Sequence, residues 1–383
     1  MKCSKKMCIT LLLGILVVIM TSSTVCALDL SLLLQIDAAE AGKYDFAITE
    51  AAAHVAYVKQ GQVYYATITA SNLTWQITSL GAGDWPSIAG NRAGDVSLVY
   101  SNAGNIYEAS NFNAWTPTVI GQGTKPSISS NYFGPGFHLL VEGNYDSDGY
   151  TEIVHSFNAG SGWSPFETLL DGWYDSGSGN YYGQSSIAVL MDGSYAIAYE
   201  FQNWGGRASW SNKEAVASGS SIGSTSVSTG WNNSIVLSRR AIASVSDENP
   251  MAAYGCSIDG QIYAAFYDGT QWQWLSGLGT GGAPSISWGG AAFTGSDGNM
   301  RFVRVDEGQV YLENITYGGA NLAGSDPIIW AIPEGDVFVL FRDGQGNLQF
   351  GISTIPEPNT LAPMFFGLLG AGGFLLRRMK TRK

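Results

Sequence analysis

A repeat of near 40 residues constrains this chain more than any other feature. Pro86-Ser-Ile88-Ala, Pro126-Ser-Ile128-Ser and Pro284-Ser-Ile286-Ser share one short motif. Weaker copies are Ala47-Ile48-Thr, Ser186-Ile187-Ala, Ala241-Ile242-Ala and Pro327-Ile-Ile329. The marker isoleucines Ile48, Ile88, Ile128, Ile187, Ile242, Ile286 and Ile329 are spaced by 40, 40, 59, 55, 44 and 43 residues. Seven such units, two of them enlarged, have the spacing of propeller blades, each of which buries its apolar faces only against its neighbours.

The content of the units agrees. In the second, Pro86 to Gly90, Asp95 to Tyr100, Ile106 to Ala109 and Trp115 to Ile120 read as four strands, with a turn at Asn102-Ala-Gly-Asn105. The same order recurs from Val55 to Trp75 and from Met251 to Trp272. Alternating apolar residues around Asn-Gly and Asp-Gly turns signal hairpins, and no long helical period appears. The seventh unit lacks a fourth strand before residue 355, while Leu30 to Ile36 is an unassigned apolar strand. Closing the ring with that strand removes exposed sheet edges. The expectation is an all-β, seven-bladed β-propeller over residues 28–354. Six or eight blades stay open, because units three and four are long.

Both ends read as targeting segments. Lys2, Lys5 and Lys6 precede an apolar run from Ile9 to Met20, and Val25-Cys-Ala27 offers a cleavage site, so 1–27 reads as a signal peptide. At the other end, Pro356-Glu357-Pro358 is followed by the uncharged run Leu361 to Leu376 and then by Arg377, Arg378, Lys380, Arg382 and Lys383. A short Gly-rich apolar helix with a basic end is a weak stop-transfer anchor. Residues 355–383 resemble the PEP-CTERM sorting signal of Gram-negative bacteria. That resemblance implies an exosortase as partner, passage through the membrane on the C-terminal helix before processing, and a cell-surface or matrix location linked to extracellular polysaccharide and biofilm.

The repeats themselves broadly resemble sialidase-like (BNR-type) propellers, although the Asp box of that family is only echoed at Asn158 to Trp163 and Tyr267 to Trp272. This resemblance implies a fold rather than an activity. A sialidase-type centre needs three grouped arginines. Nothing in the sequence groups three, and Arg239-Arg240 and Arg301/Arg304 read as surface or inter-blade salt-bridge residues.

Charge narrows the partners. The two ends hold eight of the 19 Lys and Arg, and residues 28–376 carry 11 cations against 31 anions, a net charge of −20. Such a body repels nucleic acid. Cys256 is the one cysteine outside the signal peptide, so no intrachain disulfide forms, and its apolar setting reads as a buried thiol.

Two loops carry candidate sites. Asn144, Asp146, Asp148 and Glu152 fall at positions one, three, five and nine of a loop with Gly149 at six, a spacing that wraps calcium. The loop resembles those of integrin-type FG-GAP repeats, and a polar Asp-Gly turn is the plain alternative. Trp173, Tyr174, Tyr181 and Tyr182 lie in a Gly/Ser-rich insertion, and Trp204 in a second insertion after the next strand pair. Aromatic faces beside amides and carboxylates grip sugars, although such rings also pack under their own loops. The expected function is non-enzymatic binding of polysaccharide or matrix. The alternative is a sialidase-like glycoside hydrolase or lyase.

Overall fold

The computed structural model describes residues 27–354, apart from 132–133, 146–147, 149, 176–177, 191, 206–209, 230–233, 245–251, 268, 276–277, 288–289, 307–308 and 332–335. The signal-peptide and sorting-tail readings therefore lie outside the described residues, Pro356, Glu357, Pro358, Arg377 and Arg378 included. Among the described residues no helix is long and apolar enough to cross a membrane.

Seven sheets follow one another along the chain. Blade 1 covers 44–82, blade 2 84–122, blade 3 124–170, blade 4 173–229, blade 5 235–275 and blade 6 285–317. Blade 7 joins Ser325–Ala331, Asp336–Arg342 and Asn347–Thr354 to Leu32–Ala38. Burial explains the strand order within a blade. The inner strand Tyr44–Ile48 is buried throughout, whereas the outer strand Asn72–Ala82 is mostly exposed. A strand covered on both faces needs a continuous apolar run.

The core lies between blades. Seven buried clusters occupy the seven blade junctions. At one, Val58, Val63 and Tyr65 of blade 1 meet Ile88, Leu98 and Tyr100 of blade 2. At the last, Phe338 and Phe350 of blade 7 meet Phe46 and Tyr57 of blade 1, so the ring is closed.

The Pro-Ser-Ile repeat has a physical cause. An innermost strand has no further strand beside it, so its inward N–H groups need other acceptors. Ser87 Oγ accepts the N–H of Ile128 at 3.2 Å, Ser127 Oγ that of Ile187 at 3.3 Å and Ser285 Oγ that of Ile329 at 3.2 Å. Each serine thus caps the inner strand of the next blade. In blade 1 the position is held by Asp45, whose Oδ2 accepts from Ile88 N at 3.0 Å. Counted from the hairpin turns, Phe46 and not Ile48 is the blade 1 equivalent of Ile88, because Phe46 pairs with Val55 as Ile88 pairs with Leu98.

Two further expectations need adjustment. Trp115 does not open the fourth strand of blade 2. It sits in a turn after the short 3-10 helix Asn111–Asn113, with φ at 61°, and stacks on Tyr65 of blade 1 at 3.6 Å between ring centres. The strand begins at Thr118. The N-terminal segment also does more than supply one closing strand. Leu32–Ala38 pairs antiparallel with Asn347–Thr354, closing blade 7 as expected. Leu28–Leu30 forms a separate strand, parallel to Gln309–Tyr317 of blade 6. Ser31 makes the break, with both its N–H (2.7 Å) and its hydroxyl (3.0 Å) donating to Ile352 O.

The inner strands all begin on one side of the disc, termed the upper face. Hairpins joining the second and third strands of the blades turn on the same side, as at Lys59–Gln62 and Asn102–Asn105. Four of the linkers onto this face are pinned to the previous blade in the same way. Gly83, Gly123, Gly281 and Gly324 donate to the carbonyls of the turn glycines Gly61, Gly104, Gly260 and Gly298. Gly123 is required by its setting, since its φ is +128° and a Cβ there would stand 2.7 Å from Glu142 O. Thr354 pairs with Asp336 at the opposite end of its strand, so the chain leaves through the lower face.

Candidate functional site: a groove on the upper face

The linkers aim side chains at the mouth of the axis. Trp85 and Lys125 each precede the proline of the repeat, yet both adopt left-handed φ, 52° and 43°. A residue before proline normally stays extended, and left-handed non-glycine residues are uncommon. Register shifts between Asp84 and Ser87 and between Thr124 and Ser127 mark the bulges that accommodate them. Bulges re-aim side chains. The result is a groove of about 530 Å³ lined by Lys43, Asp84, Trp85, Asn102, Thr124 and Lys125, among others. That volume falls within the roughly 300–1,000 Å³ of small-ligand sites.

Cations gather there. Lys43 Nζ lies 2.9 Å from Glu40 and 3.1 Å from Asp84, and these bonds raise its pKa. Lys125 Nζ lies 2.9 Å from Glu142 and 5.7 Å from the Trp85 ring centre. Arg239 arrives from across the axis. The inner strand of blade 5 is interrupted between Ile235–Val236 and Ile242–Ser244, and the intervening residues carry Arg239 and Arg240 inward. Arg239 donates to Gly42 O at 2.6 Å and Pro86 O at 2.5 Å, with its guanidinium 4.7 Å from the Trp85 ring centre. Its buried Nη2 has no partner among the described residues. Burial lowers the Arg239 pKa to about 10, so the group stays cationic at neutral pH.

Arg240 is an inter-blade bridge. Its Nε donates to Asp45 at 2.8 Å, its Nη2 to Phe46 O, and the guanidinium lies 5.0 Å from the Trp330 ring centre. Asp45 is 2% exposed and also accepts from Ser87 Oγ at 3.1 Å. Removing one partner of a buried pair leaves the other charge uncompensated. Asp45→Ala is therefore expected to cost about 3–5 kcal/mol, read as a lowered midpoint in urea unfolding.

Glu142 is a strongly perturbed carboxyl of this face. Burial raises its pKa to about 7, outweighing Lys125, and Glu200 of blade 4 acts in the same direction. The axial cavity is a poor ligand site. It offers about 120 Å³ between Ser127, Ser129, Asn131, Ile242 and their neighbours. That is room for a few waters at roughly 30 Å³ each.

The aromatic residues singled out in the sequence stand on an arm of blade 4. Strands Ser178–Val189 and Tyr195–Gly205 extend beyond the inner ring on the upper face, with Trp173–Asp175 paired to the first. Trp173 is 40% exposed and Tyr181 37% exposed, the latter edge-on to Tyr150. Tyr182 packs against Tyr199 and Phe201 beside Leu140 and Ile197, which is a packing role. Trp173 shares a face with Tyr182 through the Trp173–Asn180 pairing, and Tyr181 points to the other. The backbones of Tyr174 and Trp204 both lie opposite Gly179, and their side chains lie outside the described residues.

The acidic loop is the upper-face hairpin of blade 3, between Phe137–Gly143 and Glu152–Asn158. Asp146 lies outside the described residues. Glu152 is 1% exposed and accepts from Tyr145 N at 3.1 Å, and Asp148 accepts from Tyr150 N at 2.8 Å. Two of the four expected calcium ligands are thus engaged by amides of the loop itself. Among the described residues, no three His, Cys, Asp or Glu are grouped to hold a metal. Cys256 is fully buried, and burial raises its pKa to about 11, so it is not a nucleophile.

The histidines form no catalytic set among the described residues. His138 Nδ1 and His155 Nε2 are 3.0 Å apart, and His54 Nδ1 is 2.7 Å from the Tyr65 hydroxyl. Burial lowers all three pKa values, His54 and His138 to about 4. The unfolded chain, with histidines near 6.5, takes up these protons first. The histidine contribution is present above pH 6.5 and lost as pH falls towards 4. Glu142 has the opposite sign. Its contribution is present below 4.5 and lost as pH rises through about 7. Three histidines outweigh one carboxyl, so thermal unfolding is expected at a lower temperature at pH 4.5 than at pH 7. Glu142→Gln, which removes the opposing group, makes that acid loss steeper.

Trp85, Lys125, Lys43 and Arg239 were not singled out as binding residues from sequence. A signal was present, because Trp85, Lys125 and Asp326 occupy one repeat position, directly before Pro86, Pro126 and Pro327. All three have left-handed φ.

No protein-family model matches the chain, and no curated protein matches it in sequence. Solved structures do match. U3-55K shares 11% identity at a TM-score of 0.52, over 83% of this chain and 98% of that one. Hydrazine synthase of Kuenenia stuttgartiensis shares 11% at 0.53, over 84% and 97%. What they share with this chain is the fold. An α-L-arabinanase of Penicillium chrysogenum, solved with arabinobiose, aligns over 84% and 97% at 10% identity, but its TM-score of 0.44 carries no argument.

Proposed function

We propose that this chain is an exported cell-surface or matrix propeller that binds polysaccharide on its upper face without transforming it. The observation that carries the reading is the groove at Trp85, where an aromatic ring, amide and carboxylate groups and two lysines meet in one open depression. Sugars are held by stacking on aromatic rings and by hydrogen bonds from such groups. The enlargements of blades 3 and 4 rise from the same face, and in repeat folds insertions commonly gather on the binding face. The resemblance of residues 355–383 to a sorting signal is what supports export and exosortase processing. Since Thr354 leaves through the lower face, an anchor in those residues directs the groove away from the membrane. A glycan array probed with the full chain tests the reading. Binding lost on Trp85→Ala is expected, and a blank array sinks it.

Glu142 favours the rival reading of a glycoside hydrolase, because a carboxyl with a pKa of about 7 is suited to general-acid work. It is held under Lys125 and is 3% exposed. Release of reducing ends from a polysaccharide, abolished by Glu142→Gln, would establish that rival.

A further inference from the structure

We propose that the sugar recognised in the upper-face groove is acidic, a uronate or another carboxylate-bearing unit of a polysaccharide chain. The inference rests on the polysaccharide reading and names the chemistry of its ligand.

Charge segregation carries it. Residues 28–376 hold 11 cations against 31 anions, yet Lys43 and Lys125 both line the groove, and Lys125 and Arg239 both lie over the ring of Trp85. A body of this charge repels an anionic polymer except where cations are concentrated. The three come from different blades. Lys43 stands on the linker into blade 1, Lys125 at the start of the inner strand of blade 3, and Trp85 lies between them on blade 2. Arg239 reaches in from blade 5. The arrangement is therefore assembled by the closed ring and not by one local run of sequence.

The carboxylates already present do not use up these cations. Glu40 and Asp84 fix the Lys43 ammonium, which has three hydrogens to donate. Lys125 faces Glu142, a carboxyl that titrates near neutrality under the influence of burial and Glu200. Arg239 lines a recess with Trp85, Lys125 and Ser185. In that recess both Arg239 Nη2 and Ser185 Oγ are buried and lack hydrogen-bond partners among the described residues. That recess holds only about 10 Å³, room for a single water, so the donors an acidic sugar meets are the Lys43 and Lys125 ammonium groups that line the open groove. A neutral sugar satisfies the ring of Trp85 but gains nothing from the ammonium groups beyond hydrogen bonds.

The test compares two polymers with one backbone, polygalacturonate and its methyl ester, titrated calorimetrically against the full chain. Polygalacturonate is expected to bind at least about tenfold tighter. Lys43→Gln with Lys125→Gln removes the preference while the unfolding midpoint is monitored. Added salt provides a second readout that needs no variant, weakening polygalacturonate binding and leaving ester binding unchanged. Equal affinity for the two polymers, or a preference for the ester, overturns the acidic-sugar inference and leaves the polysaccharide reading standing. Binding to neutral glycans alone does the same. Failure to bind any acidic or neutral polysaccharide overturns both.

Discussion

Deletion of residues 28–38 is expected to abolish cooperative folding. This segment supplies the outer strand of blade 7 and a parallel strand on blade 6, so it clasps the two blades that close the ring. Leu28 and Leu30 are 5% and 1% exposed, and Leu32, Leu34 and Ile36 pack on the junction of blades 7 and 1. Burying a leucine stabilises by about 1.5–3 kcal/mol. Two such residues alone approach the lower end of the roughly 5–15 kcal/mol that holds a domain folded. The loss also strips the Asn347–Thr354 edge of its partner and invites aggregation. Denaturant unfolding followed by tryptophan fluorescence should show no sharp transition. A synthetic peptide of residues 28–38, added in trans, should restore one. A truncated chain that unfolds at the same urea concentration as the full chain would contradict the clasp.

Trp85→Ala is expected to weaken polysaccharide binding by about 2 kcal/mol, or roughly 30-fold. The ring lines the groove and also orders the cations around it, with Arg239 4.7 Å and Lys125 5.7 Å from its centre. Its removal thus takes away a stacking surface and loosens two charged groups together. Trp173→Ala, on the exposed arm of blade 4, should cost a smaller factor of roughly three, as peripheral contacts do. Because Trp85 also packs at the channel mouth, the unfolding midpoint of each variant has to accompany its affinity. Trp85→Phe, which keeps an aromatic face, should recover part of the binding.

The fold was legible because its repeat is a hydrogen-bonding device. Ser87, Ser127 and Ser285 recur because each satisfies an inner-strand amide of the following blade, and that chemistry needs a short side chain with an acceptor. Where another residue does the same work, the signal fades. Asp45 replaces the serine in blade 1, and the equivalence of Phe46 with the isoleucines emerges only from strand register. The closing strand was visible as an unassigned apolar run. Its division at Ser31 was not, because two bonds from one residue, N–H and hydroxyl, to Ile352 O mark it.

The groove was much less legible. Lys43, Trp85 and Lys125 line it from three successive parts of the ring, Arg239 reaches the Trp85 ring from blade 5, and no local pattern connects them. Arg239 and Arg240 illustrate the difficulty. Two adjacent arginines read as surface or inter-blade salt-bridge residues; Arg240 is such a bridge, to Asp45, but the break in the inner strand of blade 5 that sends Arg239 to Trp85 has no sequence signal. The aromatic residues of blade 4 had the opposite fate. They lie close in sequence, yet alternation along a strand separates Trp173 from Tyr181, and Tyr182 is drawn into packing.

The central claim is that the upper face holds a polysaccharide at Trp85. Affinity electrophoresis of the full chain and of Trp85→Ala through gels containing polysaccharide tests it most directly. The account predicts that the parent chain is retarded and that the variant, still folded, migrates as in a plain gel. Equal migration of the two proteins in every polysaccharide gel would contradict it.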